Sequence, residues 1–256
     1  MKPKVSFIMP SAKLRPDHFE HAVESVLNQS MREIELIIVL QNDPERHRAY
    51  MYEKSDARVF AVNVNAPYGE HFTKAYNHGV GLARSDIICF AHDDDVQLKD
   101  KAEILYSVMR NRPSVGMVHG GWCVADQDLV IQTMTWGIKT RTYEEYKDSG
   151  SFSPNAVGIR KWVFDRVKFN ENYWRVHEFI WCLECMEAGI EFHYIQIPLF
   201  IQRVHESFSR KPKVKQLEFA EYERYRKERN DPTIAAGKEQ WWREQLPELR
   251  QKGFYV

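Results

Sequence analysis

Three carboxylates in a row, Asp93, Asp94 and Asp95, stand in the stretch FAHDDDVQLKDK, directly behind an apolar run, DIICFAH. Like charges repel, and a carboxylate beside a core is costly unless something pairs with it. A divalent cation is the obvious partner, because hard oxygen ligands suit Mg2+ or Mn2+. The plainer alternative is a solvated acidic loop, in which Asp93 or Asp95 near a helix N-terminus is favourable without any metal. A second motif, CLEC (Cys182 and Cys185), has C-x-x-C spacing, but no further Cys or His pair follows at zinc-finger spacing. It lies in HEFIWCLECMEAG, which reads as helix, so both cysteines are expected in the core.

The elements that must carry the acidic run are legible from periodicity. Residues 5–10, 33–42, 57–64 and 86–92 are Ile- and Val-rich runs of strand length. Between them, 17–30, 43–54 and 70–85 read as helices, and 99–112 reads as the next helix. Asp17 is a candidate cap for the first, and Gly79 and Gly81 weaken the third. This β-α-β-α alternation predicts a mostly parallel sheet with helices on both faces, whose ligands bind beyond the carboxyl ends of the strands. The acidic run falls at such an end.

The second half is less regular. Residues 115–126 and 129–137 read as strands around a DQD turn, and 140–155 as a polar loop. Residues 160–167 and 177–189 read as helices, with Gly189 as C-cap. Residues 191–205 alternate like one or two strands, and the charged, aromatic stretch from about residue 206 reads as helices packed on the main domain or on a partner.

The 256 residues suffice for one large domain or a domain plus an appendage. Lys plus Arg equals Asp plus Glu at 36 each, so the basic excess of a general nucleic-acid binder is missing. The opening stretch is too short in apolar residues for a signal peptide, and no run approaches a membrane span. The expectation is a cytoplasmic protein.

Four segments, in order, give a resemblance: VSFIMPSA with AVESVLNQSMREIELIIVLQND; FTKAYNHGVGLARSDIICFAHDDDVQLKDKAEIL; VHEFIWCLECMEAGIEFHYI; and PLFIQRVHESFSR. Together the chain resembles a family 2 glycosyltransferase of GT-A fold. The resemblance implies a Rossmann-like α/β fold with a mixed, mostly parallel central sheet flanked by helices and a C-terminal helical tail. It implies a GT-A domain over residues 1–210 and a helical extension over 211–256. It also implies transfer of a sugar from a nucleotide diphosphate donor, with a UDP-sugar expected first, to a hydroxyl of a glycan or lipid-linked acceptor, with inversion and with Mn2+ or Mg2+.

Residue by residue, the family's Asp-x-Asp metal motif aligns with His92, Asp93 and Asp94, with Asp95 behind. Asp94 and then Asp95 become the metal ligands, joined by His205 of the closing segment. His92, where an Asp usually touches the ribose, would act as a neutral donor, or Asp93 would take that role. Glu178 falls at the general-base position of the acceptor helix, although the usual Glu-Asp pair is here His177-Glu178. Pro10 and Ser11 would line the nucleotide, with Gln41 or Asn42 reading the base where an Asp is usual, so the choice among UDP, GDP, dTDP and CDP stays open. Lys74 and Asn77 remain as donor contacts, Tyr76 replacing the usual Arg. Arg203, Arg210, Ser207 and Ser209 are further candidates around the diphosphate. Gly120 and Gly121 would let backbone approach a ligand, and Trp122 would stack on a sugar or pack in the core.

Two other classes stay in view. A nucleotidyltransferase would use the same cation but needs a glycine-rich loop after its first strand, and MPSAKLRPDH has no Gly. A silent binding module is kept open by His92, Leu40 and Tyr76. RYRKER and WWREQ in the tail permit peripheral contact with the inner face of a membrane, or a homodimer.

Overall fold

The computed structural model describes residues 2–11, 16–41, 47–66, 72–136, 142–149, 153–204, 212–238 and 240. The first half alternates as expected: β1 (Val5–Ser11), α1 (Pro16–Leu27), β2 (Ile34–Gln41), α2 (His47–Ser55), β3 (Val59–Val64), α3 (Phe72–Leu82), β4 (Ile87–Phe90), β5 (Val96–Gln97) and α4 (Lys101–Asn111). Then come β6 (Met117–Ala125), β7 (Ile131–Thr135), α5 (Tyr143–Ser149), a 3-10 turn (Pro154–Ala156), β8 (Val157–Arg160), α6 (Lys161–Arg166), α7 (His177–Glu187), β9 (Phe192–Arg203) and α8 (Pro212–Arg229).

One mixed sheet runs β3-β2-β1-β4-β8-β6-β9-β5, with β7 added on β6. The β3-β2-β1-β4 half is parallel. Beyond it β8 runs antiparallel between β4 and β6, while β9 is parallel to β6. Every residue of β1 and β2 is buried, because helices cover both faces of these strands, and such strands read as unbroken apolar runs. Alternate side chains divide the core. Phe7, Met9, Leu36 and Ile38 pack with Phe19, Val23 and Val26 of α1 and Leu105 and Met109 of α4. Ile8, Ile37 and Val39 pack on the other face with Val80, Ile180 and Leu183. Pro10 fits a central strand because Ile8 turns its carbonyl to Ala91, the last bond on the β4 side. By the strand's alternation Pro10 faces that side beyond the last β4 pair, where no ladder bond is lost.

Three local expectations are corrected. The stretch 140–155 is not all loop: it holds α5, begun by a reciprocal cap in which Thr142 Oγ1 accepts from the Glu145 amide and Glu145 accepts from the Thr142 amide. The sequence carries that signal as T-x-x-E, and the buried Tyr146 stacks on Phe179. The short strands β5 and β8 are additions without a sequence counterpart in that reading. Finally, Gly120 and Gly121 admit backbone rather than ligand, since a Cβ there would lie 2.5 Å from Ile197 O and 2.6 Å from Thr135 O.

Gly79 and Gly81 of α3 have opposite reasons to exist. A Cβ on Gly79 would meet Ile8 Cγ2 at 2.4 Å and Val39 Cγ2 at 3.0 Å, so the helix backbone rests directly on the sheet. Gly81 has nothing within 4 Å. Urea denaturation should therefore show Gly79→Ala destabilised by roughly 1–3 kcal/mol through overpacking, and Gly81→Ala stabilised by up to about 1 kcal/mol through helix propensity.

Candidate active site

The parallel strands β1, β2 and β4 end at one rim, and the acidic turn leaves β4 there. Asp95 is only 4% exposed, and its carboxylate is held from three sides. Oδ1 accepts the Arg203 amide at 2.9 Å, and Oδ2 accepts Asn155 Nδ2 at 2.8 Å and lies 3.3 Å from His92 Nδ1. The Arg203 guanidinium also reaches Asp94 O, Gln127 O and His21 Nδ1. Arg203 thus braces the turn from β9, which accounts for its charge without a phosphate.

Beneath the turn lies Lys101, with no exposed surface. Its ammonium donates to Phe90 O at 2.9 Å, Gln97 Oε1 at 2.6 Å and Asn155 O at 2.7 Å, and burial pulls its pKa down to about 8. Asn155 completes the support, its Oδ1 accepting the His92 amide at 3.1 Å. Asn155 and Lys101 were not candidates on sequence. Asn155 sits in SFSPN, which reads as loop, and a lysine in a helix reads as solvent-facing.

Asp93 faces β1, accepting from Ser11 Oγ at 2.7 Å. Burial and the neighbouring Asp94 charge push its pKa up to about 7 against the Ser11 bond. His92 is held by both ring nitrogens, Nδ1 towards Asp95 and Nε2 at 3.0 Å from the Tyr76 hydroxyl. Burial opposes its charged form, but the Asp95 bond and the three carboxylates outweigh that and raise its pKa.

Tyr76, 3% exposed, is caged by Phe90 and Phe169, with ring centroids 4.6 and 5.2 Å away, and by His177 at 5.8 Å. Burial, then the charges of Glu178 and the three aspartates, push its phenol well up. So one ring separates the acidic turn from the start of α7. There Glu178 turns Oε2 inward, buried and without a hydrogen-bond donor among the described residues. His177 Nδ1 lies 3.2 Å from that oxygen but outside hydrogen-bond geometry, being directed to Trp174 O at 3.0 Å.

The other sequence candidates divide. Pro10, Ser11 and Gln41 are buried at the ends of β1 and β2, on the rim. Lys74 donates to Asn65 O, and Asn77 clamps the 169–171 segment, donating to Phe169 O and Glu171 and accepting the Phe169 amide. Both side chains are thereby engaged within the chain. Asn42, His205, Ser207, Ser209 and Arg210 lie outside the described residues. Cys182 and Cys185 are buried free thiols in the core. Trp122 stacks on Phe200.

The donor set suits a hard cation. His92, Asp94 and Asp95 each offer one ligand atom, all within 4.8 Å of one another. Both His92 nitrogens and both Asp95 oxygens have protein partners, and Asp94 is the partly exposed carboxylate of the set, Asp95 the buried one.

The mixed sheet has known counterparts. Residues 1–349 of S. aureus TarS in complex with UDP-GlcNAc superpose with a TM-score of 0.59 at 12% identity, covering 80% of this chain and 59% of that one. The mannosyltransferase PcManGT from Pyrobaculum calidifontis, in complex with GDP-Man and Mn2+, gives 0.59 at 14% identity, covering 82% and 59%. The fold is that of GT-A glycosyltransferases. Residues 6–166 match the family described as "Glycosyl transferase family 2", and the chain belongs to that family. Among its relatives, an uncharacterized glycosyltransferase of Methanocaldococcus jannaschii is 20% identical over 79% of this chain and 71% of its own length. The GalNAc(5)-diNAcBac-PP-undecaprenol β-1,3-glucosyltransferase of Campylobacter jejuni is 24% identical over 75% of this chain and 62% of its own. The protein is a glycosyl-transfer enzyme.

Because Lys101 holds three buried acceptors under the acidic turn, Lys101→Met should cost roughly 3 kcal/mol or more in chemical denaturation, each orphaned acceptor contributing its desolvation penalty.

Proposed function

We propose that this chain transfers a sugar from a nucleotide diphosphate donor, a UDP-sugar first, to a hydroxyl of a glycan or lipid-linked glycan, with inversion at the anomeric carbon. The observation that carries the reading is the pairing of two acidic features across Tyr76: the turn His92–Asp95 on one side and the inward oxygen of Glu178 on the other. The donor lies over the ends of β1, β2 and β4, against Pro10, Ser11 and Gln41, with Asp93 near the ribose. Asp94, backed by Asp95 and His92, holds a Mn2+ or Mg2+ ion, which when bound supplies charge neutralisation for the departing diphosphate. His205 and Asn42 are proposed as further ligand and base contacts.

Glu178 takes the proton of the incoming hydroxyl as that oxygen bonds to the anomeric carbon and the bond to the diphosphate breaks. The Glu178 side chain as a whole is 37% exposed, so the carboxylate is open to an incoming hydroxyl on the side away from its buried Oε2. Attack from the α7 side, opposite the diphosphate, inverts the configuration. The complexes of the two structural neighbours with UDP-GlcNAc and with GDP-Man support a nucleotide sugar at this rim. The Campylobacter relative, named for a PP-undecaprenol-linked substrate, supports a lipid-linked acceptor.

The tail bears on the membrane-contact expectation. Among the described residues no helix is long and apolar enough to cross a membrane. The arginines of RYRKER are engaged within the chain: Arg224 with Asn172, Arg226 with Ile234 O and Arg229 with Glu187. These cations fasten α8 to the protein, and WWREQ lies outside the described residues.

Two variants test the proposal. In calorimetry with UDP, Asp94→Ala should lose the Mn2+-dependent part of the affinity, and undiminished Mn2+-dependent binding would remove Asp94 from the site. In a screen of UDP- and GDP-sugars read by release of nucleoside diphosphate, Glu178→Gln should bind donor normally yet turn over about a hundredfold or more slowly. Near-normal turnover in that variant would mean that another base operates.

A further inference from the structure

The C-terminal helix grips the segment that introduces Glu178. Helix α7 begins without a side-chain cap from its own flank, Val176 being the residue in the cap position. The amides just before it point instead at Glu221 of α8. Glu221 Oε1 accepts the Trp174 amide at 3.2 Å, and Oε2 accepts the Arg175 amide at 2.9 Å and the Val176 amide at 3.1 Å. Glu221 is 8% exposed. Three successive amides converging on one buried carboxylate at a helix N-terminus are an anion nest, here filled from within the chain.

The grip extends along one face of α8. Arg224 donates to Asn172 O and lies 4.2 Å over the Tyr173 ring, and the Tyr225 ring meets Tyr173 edge-on at 5.5 Å. Glu228 accepts from the Tyr173 hydroxyl at 2.5 Å, and Tyr222 meets Phe179 edge-on at 5.4 Å. Residues 221, 224, 225 and 228 form one helical stripe, and that stripe holds every residue from 172 to 176.

We propose that Glu221 is a positioning residue for Glu178, so that the C-terminal helix sets the geometry of the proton acceptor without touching substrate. This rests on the reading of Glu178 as the general base. A carboxamide in place of the Glu221 carboxylate leaves one uncharged acceptor oxygen for three amides in the turn directly before Glu178, and small displacements of a reacting group are costly in rate. The acidic turn after β4 lies on other elements, so nucleotide binding is left intact.

The test compares Glu221→Gln, Glu221→Asp, Glu178→Gln and the Glu178→Gln/Glu221→Gln double variant in the full chain. UDP binding with Mn2+ should be the same in all four. UDP release from UDP-sugars should fall roughly ten- to a hundredfold in Glu221→Gln, with partial recovery in Glu221→Asp. The double variant should be no slower than Glu178→Gln alone, as expected for two residues acting through one step. Hydrogen exchange at Trp174, Arg175 and Val176 should quicken in Glu221→Gln. Full turnover in Glu221→Gln while Glu178→Gln is inactive overturns the inference and leaves the base intact, as do losses that multiply in the double variant. Full turnover in Glu178→Gln overturns the base reading itself. Should Glu221→Gln not fold, Tyr173→Phe, which loosens the same grip, carries the test: slowed turnover supports the inference and unchanged turnover overturns it.

Discussion

The acidic rim depends on a charge that faces away from it. Asp95 turns its carboxylate into the protein, where the Arg203 amide, Asn155 and His92 surround it. A buried carboxylate is tolerated only with such a full set of partners. Those partners come from β9, from the turn before β8 and from the acidic run itself, so one side chain draws two distant stretches to the run that carries it. Lys101 braces the same point from below, through the Asn155 carbonyl and the last carbonyl of β4. With that support Asp93 and Asp94 are held side by side at the rim, close enough for the Asp94 charge to help raise the Asp93 pKa. Like charges this close would otherwise open the turn.

The second half of the site is built on a different principle. Where the rim relies on buried polar bonds, α7 is seated by rings: Tyr76, Phe169, Phe164 and Trp181 stack or tilt against one another around its first turns. Tyr76 belongs to both systems, its ring in the aromatic cluster and its hydroxyl on His92. A tyrosine can do this because its body is apolar and its tip polar.

The parallel half of the fold was legible in the sequence because its signals are local. Continuous apolar runs marked β1, β2 and β4, and helical spacing marked α1 and α4. Gly189, with a φ of 71°, caps α7 as its place predicts. The metal-type acidic run was legible for the same reason. What escaped the reading depends on distant pairing. Strand β8 has four residues and exists through its neighbours β4 and β6. Lys101 acquires its importance only when the carbonyls of Asn155 and Phe90, 54 and 11 positions away, arrive as acceptors, and Asn155 only when Asp95, 60 positions away, accepts from its side chain. Asn77 carries a family-like motif yet is engaged by Phe169 and Glu171, contacts 92 and 94 residues distant. The α5 cap was a readable signal hidden in a polar stretch.

The grip of α8 on the lead-in to α7 also has a consequence in time. A ribosome releases a chain from its N-terminus, and Val176 leaves 45 residues ahead of Glu221. Until α8 docks, the three amides at 174–176 face only water, although the parallel half of the sheet has all its strands. The parallel half of the sheet therefore has all its strands before the lead-in to α7 receives the buried carboxylate that holds its three amides.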